Sequence, residues 1–118
     1  MFETKTPIYI QLIELFQQNI VSGKWPSNRT IESVRSLALK YQVNPNTIFK
    51  ALSELETQGL LINDGTLGKR VSPDEKLIET IKEEIFNKAK ITFLMKAQEL
   101  GYQVDEIVRI LNEEGEIL

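Results

Sequence analysis

Asn44-Pro45 stands between two stretches of helical periodicity and places a helix boundary there. Proline lacks the N–H that an interior helical position needs, and it pushes the residue before it out of the helical region. Asn44 can therefore cap a helix whose first turn begins at Pro45, where the missing donor is not required. Behind that cap Ile48, Leu52 and Leu55 keep the spacing of a buried stripe, while Asn46, Thr47 and Lys50 are polar. A helix whose opening turn offers amide, hydroxyl and ammonium groups suits the major groove of DNA. An ordinary capped surface helix has the same pattern.

The flanking sequence supplies the other elements. Thr6 and Pro7 read as cap and first residue of a helix in which Ile8, Leu12, Leu15, Phe16 and Ile20 recur until Ser22-Gly23. Trp25-Pro26-Ser27-Asn28 is a loop. Ser33 caps a short helix through Val34, Leu37 and Ala38 to about Tyr41, and Gln42-Val43-Asn44 is a tight connection. The third helix runs to Gln58, where Gly59 is placed to take the left-handed conformation. Leu60-Leu61-Ile62-Asn63 and Lys69-Arg70-Val71 then form a hairpin around residues 64–68. Ser72-Pro73-Asp74-Glu75 opens a helix expected to reach Leu100, roughly 40 Å at 1.5 Å per residue. Its apolar positions Leu77, Ile81, Ile85, Ala89, Phe93 and Ala97 advance by four, so the stripe winds around the axis. Ile91, Phe93, Leu94 and Met95 face several directions and need cover on several sides. A last helix at 104–114 offers Ile107, Val108 and Leu111 as one cover, and a second copy of the chain is the natural other. The expected seam comprises Ile85, Ala89, Phe93, Leu94, Ala97, Leu100, Ile107 and Leu111.

In fold class the chain reads as mainly α. A winged helix-turn-helix head at 1–72 is followed by a two-helix dimerisation tail at 73–118. The 118 residues suffice for one domain, or a small domain with an appendage. Cysteine and histidine are both absent, so disulfides and thiolate sites are excluded and no metal or cofactor is expected. No pair of acid, base or nucleophile stands out, and an enzyme is not expected. No run of eighteen apolar residues spans a membrane, and the N-terminus lacks a secretory signature, so a cytoplasmic protein is expected. The net charge of −3 is uneven: +2 over residues 1–72 and −5 over 73–118. Winged helices also occur in modules that bind proteins, so a scaffold that recruits a partner stands as the alternative to DNA binding. Arg35, one turn into the second helix, is either a solvated surface arginine or a contact to phosphate or guanine.

These residues resemble a known family. Ser33-Val34-Arg35-Ser36-Leu37-Ala38, Val43-Asn44-Pro45-Asn46-Thr47 and Leu55-Glu56-Thr57-Gln58-Gly59-Leu60 are similar to motifs of the GntR-type bacterial transcription regulators. The opening Pro7-Ile8-Tyr9-Ile10-Gln11-Leu12 and the short helical tail resemble the YtrA-type subfamily. The resemblance covers essentially the whole chain. It implies a homodimeric, sequence-specific regulator of double-stranded DNA, a repressor acting on an inverted-repeat operator. It implies DNA contacts at Ser33 and Arg35 before the recognition helix and at Asn44, Asn46, Thr47 and Lys50 at its start. On the wing it implies Thr66, Lys69 and Arg70, which flank Gly68.

The chain departs from the family pattern in places. Glu32 stands where a proline precedes the serine, and one residue is added between Pro26 and Val34. Phe49 replaces a polar residue on the recognition helix, and is expected to pack against the first helix rather than contact a thymine methyl. Asn63-Asp64 replaces the wing's basic pair, with positive charge displaced to Lys69 and Arg70. Two tail helices are too little for a buried effector pocket within one protomer. The sequence does not say whether a small-molecule effector exists; room for one is left between head and tail, or at the seam near Phe86, Phe93 and Tyr102.

Overall fold

The computed structural model describes residue 2 and residues 4–115. The described chain is mainly helical: α1 (Ile8–Val21), α2 (Val34–Tyr41), α3 (Pro45–Thr57), α4 (Glu75–Glu99) and α5 (Val104–Gly115), with strands β1 (Leu61–Asn63) and β2 (Lys69–Val71). It divides into two compact units, Met1–Lys82 and Glu83–Leu118.

The first unit is a winged helix. Ser33 caps α2 by accepting the Ser36 amide on its hydroxyl at 3.0 Å, and Asn44 caps α3 by accepting the Asn46 amide on Oδ1 at 2.8 Å. Between the two helices Gln42 takes the left-handed conformation, at φ 55° and ψ 50°. That one residue turns the chain sharply enough for α3 to start with only three residues between it and α2. Capping at α1 differs from the sequence expectation. Pro7, not Thr6, occupies the cap position, with extended backbone at ψ 141° and no side-chain cap bond. Its carbonyl accepts the amides of Ile10 and Gln11, so helical geometry starts one residue later, at Ile8. The Thr6 carbonyl takes the Gln11 side-chain amide at 2.8 Å instead.

The core lies where α1, α2 and α3 meet the hairpin. Leu12, Phe16, Leu37, Ile48, Leu52, Leu55, Leu60 and Val71 are fully buried. Burying each contributes about 1.5–3 kcal/mol, so the three-helix stripe carries much of the unit's stability. Trp25, in the loop after α1, stacks on Phe16 with ring centroids 5.1 Å apart. Ile78 and Ile81, from the first turns of α4, also pack on this core.

Strands β1 and β2 are antiparallel, with Leu61 opposite Val71, Ile62 opposite Arg70 and Asn63 opposite Lys69. A single 3-10 turn, Gly65–Leu67, joins them. The loop after α1 adds a partner absent from the sequence reading. Thr30 bridges Arg70, the Ile31 amide donates to the Lys69 carbonyl at 2.9 Å, and the Val71 amide donates to the Arg29 carbonyl at 2.9 Å. In the same segment Asn28 is left-handed at φ 64°.

In the second unit Gly101, at φ 93°, turns the end of α4 towards α5, and the Tyr102 amide donates to the Ala97 carbonyl at 3.0 Å. Glu106 holds the start of α5 by accepting the Gln103 amide at 3.1 Å. Ala97 and Ile107 are buried, whereas Phe86, Ile91, Met95, Leu100, Val104 and Leu111 are each more than half exposed. Among the described residues no helix is long and apolar enough to cross a membrane.

Candidate nucleic-acid interface

On α3 the buried stripe of Ile48, Leu52 and Leu55 fixes which side faces out. Phe49 and Lys50 lie three and four residues after Asn46 and share the opposite, exposed side with it. Asn46 is exposed and only its backbone amide is engaged, leaving the side-chain amide available. Thr47 is half-buried, and its amide donates to the Asn44 carbonyl at 2.9 Å. Lys50 is exposed, with its ammonium 3.7 Å from the centroid of the Tyr9 ring on α1. A cation held against an aromatic face keeps its charge in place while its remaining donors stay in water.

Ser33 and Arg35 lie at the opening of α2, both exposed. The Arg35 side chain has no hydrogen bond or ion pair to any described residue, so its guanidinium is free to take a planar acceptor. Glu32, whose charge opposes a phosphate, is engaged by Lys40, with Oε1 and Nζ 3.4 Å apart, and by the Ser36 hydroxyl at 3.4 Å. Both partners of the ion pair are well exposed, so it contributes little stability but lowers the local negative charge.

On the wing the structure separates the candidate residues. Thr66 is exposed in the 3-10 turn. Lys69 is largely buried and ion-paired with Glu56 of α3. Arg70 donates from Nε to Asp64 at 3.3 Å and from Nη1 to Asn28. Both wing cations are thus engaged within the head, and the wing carboxylate is neutralised rather than bare. Leu67, at the tip, is 71% exposed.

Phe49 corrects an expectation. It is 56% exposed and lies outside the core cluster, with the Lys69 ammonium 5.6 Å from its ring centroid. The residues flanking it explain why. Ile48 holds the core direction of the helix, and one step along an α-helix turns a side chain by about 100°.

Sequence reading did not find Tyr9, Asn28 or Glu56 as partners of the candidate cations. Each pair joins residues far apart in the chain, and nothing local marks them. In the second unit, the expected seam residues divide into buried Ala97 and Ile107, half-buried Ile85 and Leu94, and exposed Ala89, Phe93, Leu100 and Leu111. An open apolar cleft of about 220 Å³ lies within this unit, lined by Phe93, Lys96, Ala97, Leu100, Tyr102, Ile107, Ile110 and Leu111.

Comparison with known proteins identifies the family. Residues 8–71 match the model of the gntR family of bacterial regulatory proteins. The HTH-type transcriptional repressor YtrA of Bacillus subtilis is 34% identical over 88 residues, which cover 70% of this chain and 68% of that protein. A GntR family transcriptional regulator from Listeria monocytogenes superimposes with a TM-score of 0.90 at 29% identity, covering 95% of this chain and 98% of that one. The DNA-binding domain of AraR, in its complex with operator ORX1, matches 61% of this chain and 93% of its own, with a TM-score of 0.58 and 28% identity. The chain belongs to the GntR family of bacterial transcriptional regulators, in its YtrA-type subfamily.

Proposed function

We propose that this regulator is a repressor that binds an inverted-repeat operator in double-stranded DNA as a homodimer. The observation that carries the proposal is the outward side of α3: a capped, proline-started helix offers Asn46 and Lys50 opposite a fully buried stripe, and α2 opens with Arg35, whose side chain is unpaired among the described residues. In this reading α3 lies in the major groove. Arg35 meets guanine or phosphate, Asn46 and Thr47 reach base edges, and Lys50 meets phosphate. The backbone and caps at Ser33 and Asn44 hold phosphates beside them. Thr66 approaches the backbone from the wing, and Lys69 and Arg70 support the wing from within. The operator complex of the AraR domain and the repressor among the relatives support the reading.

Dimerisation is assigned to the second unit, whose exposed Phe93, Leu100 and Leu111 form more apolar surface than two helices cover by themselves. A two-fold dimer places its half-sites about one helical turn of DNA apart, or a little more. Selection from a random duplex library with the full chain tests the proposal. The expected product is an inverted repeat bound by two protomers, with affinity that falls as salt rises. A library with no enriched sequence would sink it.

A further inference from the structure

Among the large apolar residues of α3, only Phe49 is exposed; Ile48, Leu52 and Leu55 are fully buried. An isolated exposed apolar residue is ordinary on a protein surface, so position is what singles this one out. Phe49 lies one helical turn beyond Asn46 and next to Lys50, on the side of α3 that faces away from the core. On its other flank the wing brings the Lys69 ammonium to 5.6 Å from the ring centroid. That ammonium is already paired with Glu56, and it lies near the outer limit of cation–π contact. It can bias the ring's orientation but does not cover it. An aromatic ring that could bury a large area is thus held in water, between an amide donor and a basic strand.

The major groove displays one apolar group among its base edges, the 5-methyl of thymine. We propose that Phe49 is a specificity-determining residue that seats its ring against a thymine methyl, making each half-site prefer an A·T pair. Asn46, a turn earlier, carries the paired donor and acceptor that adenine N6 and N7 require, so the two side chains favour the same kind of step. The inference rests on the DNA-binding reading above.

The test uses the full chain and the duplex enriched from the random library, with each thymine replaced in turn by deoxyuridine. Uracil removes the methyl and leaves every hydrogen-bonding group unchanged. The expected result is one thymine in each half-site at which the replacement weakens binding about fourfold, the worth of one methyl-sized group taken out of water, ~0.8 kcal/mol. Phe49→Ala should bind the thymine duplex less tightly and show no difference between thymine and uracil there, whereas Phe49→Leu should keep part of it. Circular dichroism should show unchanged helix content in both variants, because the ring lies outside the core. Equal binding of thymine and uracil at every position by the parent would overturn the inference and leave the DNA-binding reading standing. So would a thymine–uracil difference that survives in Phe49→Ala, since the ring would then only shield the Lys69–Glu56 pair. A library that enriches nothing would overturn both.

Discussion

Arg35 and Lys50 are both exposed cations of the head, and their surroundings suit them to different acceptors. Arg35 is unpaired among the described residues, and its planar fork of donors matches the O6 and N7 acceptors of guanine. Lys50 is a point charge held 3.7 Å from the Tyr9 ring, which suits a phosphate better than a base edge. Arg35→Ala should therefore cost about 1–3 kcal/mol of operator affinity and relax preference at one base pair. Lys50→Ala should weaken all duplexes alike and lower the salt dependence by about one ion per site. Titrations of both variants at several salt concentrations, on matched and mismatched duplexes, separate the two roles. Equal losses on every duplex for Arg35→Ala would move it to the phosphates. Arg35 stands out in the sequence as a candidate because its motif is local. The restraint on Lys69 and Arg70 does not, because Glu56 and Asn28 reach them only after the hairpin has folded.

Helix ends were the most readable part of the fold. Ser33, Asn44 and Asp74 each act within two or three residues of themselves, and each accepts an amide of the helix that it opens. Thr6 was misread by one position because Pro7 satisfies both the cap and the first-turn pattern, and sequence cannot separate adjacent candidates that are both extended-tolerant. The close of α3 carries a sharper demand. Gly59 lies at φ 82°, and a Cβ there would stand 3.0 Å from Leu77 Cδ2. Gly59→Ala should destabilise the protein by about 1–2 kcal/mol, the ordinary cost of a left-handed residue with a side chain. The Leu77 methyl is the far end of a flexible side chain and can yield. Urea denaturation followed by circular dichroism checks this, and an unchanged midpoint would mean that the α3 end rearranges at no cost.

The proposed assembly rests on the second unit, whose buried and exposed apolar residues do different work. Ala97 and Ile107 are covered within the unit, so substitutions there would damage its fold. Leu100 is 65% exposed and offers a cleaner probe. Leu100→Glu should leave helix content unchanged while raising the dimer dissociation constant by roughly two orders of magnitude, since an unpaired charge buried at an interface costs about 3 kcal/mol or more. Sedimentation equilibrium measures this, and a variant that stays dimeric would place the seam elsewhere. The winding apolar stripe of α4 made a need for cover visible in the sequence. It could not divide that cover between α5 and a second chain, because periodicity specifies a face and not its occupant.

The wing is gripped from both sides: β1 lies along one edge of β2, and the Arg29–Ile31 segment bonds to the other. Arg70 adds side-chain ties to Asp64 and Asn28 across the same base. A projection anchored on two edges has little conformational freedom left to lose when it meets a ligand. The entropy of ordering it is lost during folding, so any contact that the wing made with a ligand would reach affinity with little deduction. Such a head meets its target already shaped, and the pace of recognition is then set by encounter and orientation rather than by rearrangement of the protein.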